Sequence, residues 1–353
     1  MTKTTQKIKY AGLLAVLFLF ATTFGLNQIE MAYADKAEGS PGQVSPKSYG
    51  SKTNNIVCGD VLCDKSQTNH SIHVKENSIV IQGQEIFYLE AGKENKETIL
   101  LLHGFPTSSH MYRNLIPALA DEFHLVAPDY VGYGRSSMPT VDEFEYTFEN
   151  QAKIIEEFTE KIGLEKYNLY LMDYGAPIGF RIASENPEKV DSFMVQNGNA
   201  YDEGLQEFWD DIKVWWDNKT PENEKKLHHL VTLEATKWQY THGTRNSDAI
   251  DPSNWKTDQD GLDRPGNTSI QLAMLYDYKT NVPLYPQWQQ YFQEYQPPML
   301  ITWGGNDYIF PEIGAHQYER DLNNVEKYIL DTGHFALEED LDFISQKISE
   351  FLN

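Results

Sequence analysis

Between Thr98 and Gln196, short apolar runs alternate with segments of helical spacing, and this alternation leaves the chain few folds to adopt. Thr98–His103 (TILLLH) is continuously apolar and ends in a loop containing Gly104 and Pro106, the pattern of a strand buried on both faces of a sheet. Met111–Phe123 follows with a helical pattern, and His124–Ala127 reads as the next strand. Phe148–Ile162 places Ile154, Ile155, Phe158 and Ile162 on one helical stripe. Asn168–Met172 is a further strand, Ala176–Glu185 a helix and Val190–Gln196 a strand. Upstream, Ser78–Gln82 and Glu85–Glu90 flank Gly83 as a hairpin does, and order is expected to begin near Ser71.

The alternation breaks near residue 200 and resumes with Pro298–Trp303, Val325–Leu330 and a closing helix over Leu337–Leu352. Residues 200–285 hold five of the seven tryptophans, many charges and mainly helical segments. The βαβα order predicts an α/β fold with a mostly parallel sheet and helices on both faces. The aromatic-rich insertion predicts a helical cap over the carboxyl edge, where such sheets bind ligands. No internal repeat is visible.

The amino terminus has another character. Lys3, Lys7 and Lys9 precede an apolar run from Ala11 to Leu26, and Ala32-Tyr33-Ala34 offers a cleavage site. This is the layout of a secretory signal peptide over residues 1–34; an uncleaved membrane anchor is the alternative, for which the run is slightly short. The protein is therefore expected to be exported, periplasmic or secreted, with no stable membrane span after cleavage. Residues 35–68, rich in Ser, Gly, Pro, Lys and Asn, predict a flexible arm. The folded core then spans 69–199 and 286–353, with the cap at 200–285 between its parts.

Formal charge is −23, and the leader holds three lysines and one glutamate, so the remainder carries −25. Such a surface argues against nucleic acid or an anionic membrane as partner. The two cysteines, Cys58 and Cys63, either close a small disulfide loop or remain free thiols. Neither a metal-ligand cluster nor a phosphate-binding glycine loop is visible, so no metal and no cofactor is expected.

The chemistry is concentrated where a strand turns into a helix, at Leu169-Tyr170-Leu171-Met172-Asp173-Tyr174-Gly175-Ala176. A nucleophile elbow holds a reactive residue on a strained turn, with a glycine two positions later so that helix and strand approach. Asp173 and Gly175 occupy those places, although Leu171 stands where a small residue is usual. The chain contains no G-x-S-x-G. After the first core strand, the loop at Phe105 can offer a backbone N–H that completes an oxyanion hole with that of Tyr174. Trp303-Gly304-Gly305-Asn306-Asp307 puts a carboxylate beyond a later strand, and Asp331-Thr332-Gly333-His334-Phe335 a histidine after the last. Each has an ordinary structural reading as well: Asp173 as a helix cap, Asp307 as a turn residue, His334 as a cap or core residue. A non-catalytic binding protein would follow if all three held.

Residues 78–353 resemble the α/β-hydrolase superfamily, in its epoxide hydrolase and haloalkane dehalogenase branch. The resemblance is carried by HGFPTSSHMYRNLIP at 103–117, DYVGYGRSS at 129–137, MDYGAPIG at 172–179, WGGND at 303–307 and DTGHFALEED at 331–340. It implies a hydrolase of small molecules in which Asp173 attacks a saturated carbon and becomes esterified. His334, oriented by Asp307, would then activate the water that cleaves the ester, with the Phe105 and Tyr174 N–H groups holding the oxyanion. Some dehalogenases take the carboxylate from the loop after the preceding core strand, here Asn197-Gly198-Asn199 with Asp202 and Glu203 beyond; the turn at 304–307 fits better. Attack at an acyl carbon would give a labile anhydride, so peptide and simple ester hydrolysis are disfavoured.

Haloalkane dehalogenases usually carry Asn or Glu at the Phe105 position and Trp at the Tyr174 position to hold the halide. Epoxide hydrolases carry an aromatic residue in the HG-x-P loop, as here, and two cap tyrosines that protonate the epoxide oxygen. Tyr278 falls where the second of these is expected, and Tyr240 is the candidate for the first, with Tyr201 and Tyr276 as substitutes. Trp238 and Trp209 are the cap indoles able to serve a halide. The resemblance thus favours an epoxide substrate, with a haloalkane as the alternative.

Overall fold

The computed structural model describes residues 73–353. The predicted leader and arm, and Cys58 and Cys63 with them, lie outside the described residues. Eight strands form one sheet: β1 (Lys75–Ile81), β2 (Gln84–Ala91), β3 (Thr98–Leu102), β4 (His124–Pro128), β5 (Tyr167–Met172), β6 (Val190–Gln196), β7 (Met299–Gly304) and β8 (Val325–Leu330). Their order is β1-β2-β4-β3-β5-β6-β7-β8. The β1–β2 and β2–β4 pairs are antiparallel and all the others parallel. Gln82 and Gly83, both at positive φ, close the β1–β2 hairpin, as a two-residue turn matched to strand twist requires.

Helices α1 (Leu115–Leu119), α2 (Phe148–Lys161) and α3 (Gly175–Glu185) separate the first core strands. The inserted segment holds α4 (Asp210–Asp217), α5 (Pro221–Leu227), α6 (Leu233–Thr241), α7 (Ser253–Leu262) and α8 (Asn267–Asp277). The core resumes through α9 (Tyr285–Tyr295), α10 (Ile313–Gln317) and α11 (Leu337–Leu352). Strands β3 to β7 are buried nearly throughout, and their side chains divide between two cores by parity. Leu100, Leu102, Leu169 and Leu171 pack with α2, α3 and α9 on one face. Ile99, Leu101, Tyr170 and Met172 pack with α1 and α11 on the other. No described helix is long and apolar enough to cross a membrane.

Two local details follow from single residues. The expected helix over Met111–Phe123 divides into a 3-10 turn at Ser109–Tyr112 and the short α1. Pro117 lacks an N–H and its ring excludes the carbonyl of residue 113 from a helical bond, so an α-helix cannot run through it from Met111. In α2, Thr147 accepts the N–H of Asn150 at 3.1 Å and caps the helix whose buried stripe includes Ile154, Ile155 and Phe158.

Candidate active site

The carboxyl ends of β3, β5, β7 and β8 bring Phe105, Asp173, Asp307 and His334 together. Asp173 follows the last residue of β5 and has φ +51°, a left-handed conformation that a side chain with a Cβ adopts at a cost. The turn is held tight by glycines. A Cβ at Gly175 would collide with the Leu102 carbonyl, and one at Gly104 with the Asp173 side chain. The bulky Leu171 is accommodated from the far side, because its methyl groups occupy the place a Cβ at Gly179 would take. The elbow therefore keeps its close helix–strand approach with the small residue moved onto α3.

Asp173 Oδ1 accepts the main-chain N–H groups of Phe105 at 2.8 Å and Tyr174 at 2.5 Å. Its Oδ2 lies 3.7 Å from Nε2 of His334. The His334 Nδ1–H donates to Asp307 Oδ2 at 2.7 Å, which leaves Nε2 as a lone pair without a hydrogen-bond partner. Asp307 is itself held on both oxygens: Asn197 Nδ2 donates to Oδ2 and the Ile309 N–H to Oδ1, each at 2.8 Å. Asn197, at φ +47°, also accepts the Gly304 N–H at 2.9 Å, tying the end of β6 to the turn that carries Asp307.

Asp173, His334 and Asp307 are at most 5% exposed. Burial pushes the Asp173 carboxyl up to about 6, against the pull of His334 and the two N–H donors. Burial disfavours the His334 cation too, but Asp307 and then Asp173 outweigh it, so its pKa rises. His103, beside this constellation, is fully enclosed and its pKa falls to about 3. As a neutral ring it accepts the Tyr130 N–H at Nε2 and donates to the Gly104 carbonyl, bracing the loop before Phe105.

A cavity of about 30 Å3 lies over Asp173. Its wall is mostly apolar, with Phe105, Tyr174, Trp209, Leu272 and Ile309 among the lining, and cap glutamines Gln239 and Gln271 bring amides to it. Gln239 also borders a crevice beside His334 and Asp307. Among the described residues the Tyr174 hydroxyl and the Gln239 amide make no hydrogen bond, and both side chains line the cavity. No described group of His, Cys, Asp and Glu is placed to hold a metal ion.

The other cap candidates stand at varying distances from this cavity. Tyr240 turns its hydroxyl to Asp258 Oδ2 at 2.5 Å and stacks on Phe335, outside the cavity lining. Tyr278 is wholly buried behind the wall, 4.4 Å from Trp209 and 6.0 Å from Tyr174 between ring centres, and Tyr285 is the first electrostatic neighbour of its hydroxyl. Trp238 packs on Phe208 and His242 at the crevice. Trp209 lines the cavity, but its indole N–H is committed to the Ile309 carbonyl at 2.8 Å. The Tyr201 hydroxyl donates to Asp321, and Tyr276 lies against Trp215 and two lysines. Glu203 pairs with Arg320 at the surface, and Asp202 begins a 3-10 turn, Asp202–Gly204; Asp307 is the carboxylate that meets His334.

The residues missed from sequence are Asn197, Gln239 and Gln271. Thr236, Gln239 and Tyr240 form the buried stripe of α6, and Asn267, Gln271 and Leu275 run along the buried side of α8. A glutamine at core-facing spacing is the signal that was available.

Comparison with known proteins bears on the family and the fold. Residues 97–341 match the family described as the α/β hydrolase fold. A Saccharomyces cerevisiae protein described as an uncharacterized hydrolase is 38% identical over 283 residues, covering 79% of this chain and 95% of that protein. A haloalkane dehalogenase of Mesorhizobium japonicum is 34% identical over 140 residues, 39% of this chain and 42% of that enzyme. Among solved structures, an epoxide hydrolase superposes with a TM-score of 0.64 at 21% identity, covering 79% of this chain and 99% of its own. A haloalkane dehalogenase from Agrobacterium tumefaciens gives 0.66 at 22%, covering 79% and 96%. At such identities the two structures share a fold with this chain.

Proposed function

This chain belongs to the α/β-hydrolase-fold family and is a hydrolase, and on that premise we propose that it opens small-molecule epoxides through an ester on Asp173. One observation carries the reading: Asp173 has one oxygen held by two N–H groups and the other free beside an unpartnered imidazole nitrogen. Oδ2 attacks a ring carbon, the carbon–oxygen bond breaks, and the departing oxygen takes a proton. Oδ1 becomes the carbonyl oxygen of the ester, already seated between the Phe105 and Tyr174 donors. His334 Nε2 then removes a proton from water, which adds to Cγ of Asp173; the negative charge collects on Oδ1, where the two N–H groups stabilise it. Collapse expels the second diol oxygen, which takes the proton from His334, and the acid proton left on Asp173 restores the hydroxyl that protonated the epoxide oxygen, so the carboxylate is freed and the diol leaves.

The choice of epoxide rests on the donors that face the cavity. Tyr174 offers an O–H, the kind of group a developing alkoxide needs, whereas the indole of Trp209 is already committed to a carbonyl. Tyr174 is thus the group proposed to protonate the oxygen, in place of Tyr278 and Tyr240. A haloalkane is the second reading, favoured by the Gln239 amide, whose N–H groups suit a halide. Diol release from a styrene-oxide-type epoxide, with no halide release from 1-bromo- and 1-chloroalkanes, is the expected result. Halide release alone would reverse the assignment, and inertness to both would overturn both substrate readings.

A further inference from the structure

A second and larger space, about 480 Å3, opens between cap and core beside the Asp173 cavity. Its walls come from α7, the first turns of α8, and the loops that follow β3 and β4. Gln271 borders both spaces, and Phe105 on one is followed directly by Pro106 and Thr107 on the other. Tyr133 lines the larger chamber with the Gln271 amide beside its hydroxyl, and Asp173 is an electrostatic neighbour. Tyr133 and Gln271 are each 3% exposed and lie close together, yet neither the Tyr133 hydroxyl nor Gln271 Oε1 makes a hydrogen bond of ordinary length, while Gln271 Nε2 donates to Asn267 Oδ1 at 3.0 Å. A buried polar atom left unpaired costs ~1–3 kcal/mol, so a partition kept only for packing would be apolar.

The two volumes point the same way. About 30 Å3 over Asp173 admits little more than a reacting carbon and its neighbours, so the rest of any larger substrate must extend elsewhere. The chamber wall carries the hydroxyl groups of Ser108, Ser109 and Thr257 and the amide of Asn267. Its charges are of both signs: Arg113 and Arg135 are paired with Glu338 and Glu76, Arg264 donates to the Gly261 and Gly132 carbonyls, and Asp129, Asp258 and Asp260 stand on the same wall, so no single sign dominates.

We propose that this chamber is a second compartment of the substrate site, which takes the uncharged, oxygen-bearing tail of a molecule whose electrophilic carbon lies at Asp173. Gln271 is the side chain that turns aside to let the tail pass. The proposal rests on the functional reading above and adds a substrate class to it: epoxides carrying a polar, non-ionic tail, such as glycidyl ethers of short glycols.

Gly261 on α7 provides the test, because it lines the chamber and a Cβ there meets nothing within 4 Å. Three substrates are compared: propylene oxide, a glycidyl ether of diethylene glycol, and an alkyl glycidyl ether of equal length. The native enzyme should prefer the glycol ether to the alkyl ether, and Gly261→Phe should raise KM for the glycol ether about tenfold or more while leaving propylene oxide unchanged. Gly261→Cys, assayed before and after alkylation with a bulky maleimide, gives the same comparison in a protein already folded, with the native protein treated alike as control. Equal changes for all three substrates, or none for the glycol ether, would overturn the chamber while leaving the reaction intact. Failure of the native protein to turn over any epoxide would overturn the functional reading and this proposal with it.

Discussion

Asn197 Nδ2 donates at 2.8 Å to the same Asp307 oxygen that accepts from His334 Nδ1. The carboxylate that orients the histidine is thus itself oriented, by a side chain from the end of a different strand. Asn197→Ala removes one hydrogen bond to a buried charge, a contribution of about 1.5–3 kcal/mol. If it holds His334 in place, kcat falls by roughly ten- to a hundredfold with little change in KM. Because Asp307 then bears its charge with less help, His334 holds its proton more tightly, and the acid limb of the kcat profile, where the base becomes protonated, moves to higher pH. A pH series of steady-state assays measures both effects.

The Asp173 carboxyl titrates at about 6 in the fold, above its ordinary value, because it is buried. Attack requires the ionised form, so kcat/KM should fall as pH drops through about 6. The same shift acts on stability. A carboxyl whose folded pKa is raised binds protons more tightly folded than unfolded, so its contribution is full below about 4 and is lost as pH rises through about 6. Asp173→Asn removes this penalty and keeps an acceptor for the two N–H groups. It should therefore raise Tm at pH 7.5 and have much less effect at pH 4. Scanning calorimetry at both pH values decides the sign.

Tyr174 and Tyr240 should separate cleanly. Tyr174→Phe deletes the hydroxyl of a cavity-lining side chain that makes no hydrogen bond among the described residues, so Tm is expected to hold while kcat/KM for an epoxide drops on the order of a hundredfold. Tyr240→Phe deletes the donor to buried Asp258, whose carboxyl burial already pushes up to about 7. That variant should lose roughly 1–3 kcal/mol of stability and keep its kcat. Thermal melts and initial rates on the purified pair check both statements.

Much of the framework was legible because strands buried on both faces cannot hide their composition: Thr98–Leu102 and Val190–Gln196 are read directly from their apolar runs. The order of Asp173, Asp307 and His334 was legible because each stands where a strand ends. What escaped depends on partners distant in sequence. Leu171 looks like a defect in the elbow until Gly179 is seen opposite it. Tyr240 and Gln239 are neighbours on one helix, and only the packing of α6 on α7 and of the Tyr240 ring on Phe335 decides that the phenol turns to Asp258 while Gln239 lines the cavity. Pro117 was readable in advance as a helix breaker, and the shortness of α1 follows from it.

In the proposed mechanism all of this chemistry passes through a covalent bond to one carboxylate oxygen. His334→Gln keeps Asp173 and its two N–H donors but removes the base that activates water, so a single exposure to epoxide should leave an ester in place. Intact-mass and peptide mass spectrometry should then show one added substrate mass, confined to the peptide containing Asp173. An unmodified Asp173 peptide in a variant that binds the epoxide, or full turnover after Asp173→Ala, would contradict the mechanism.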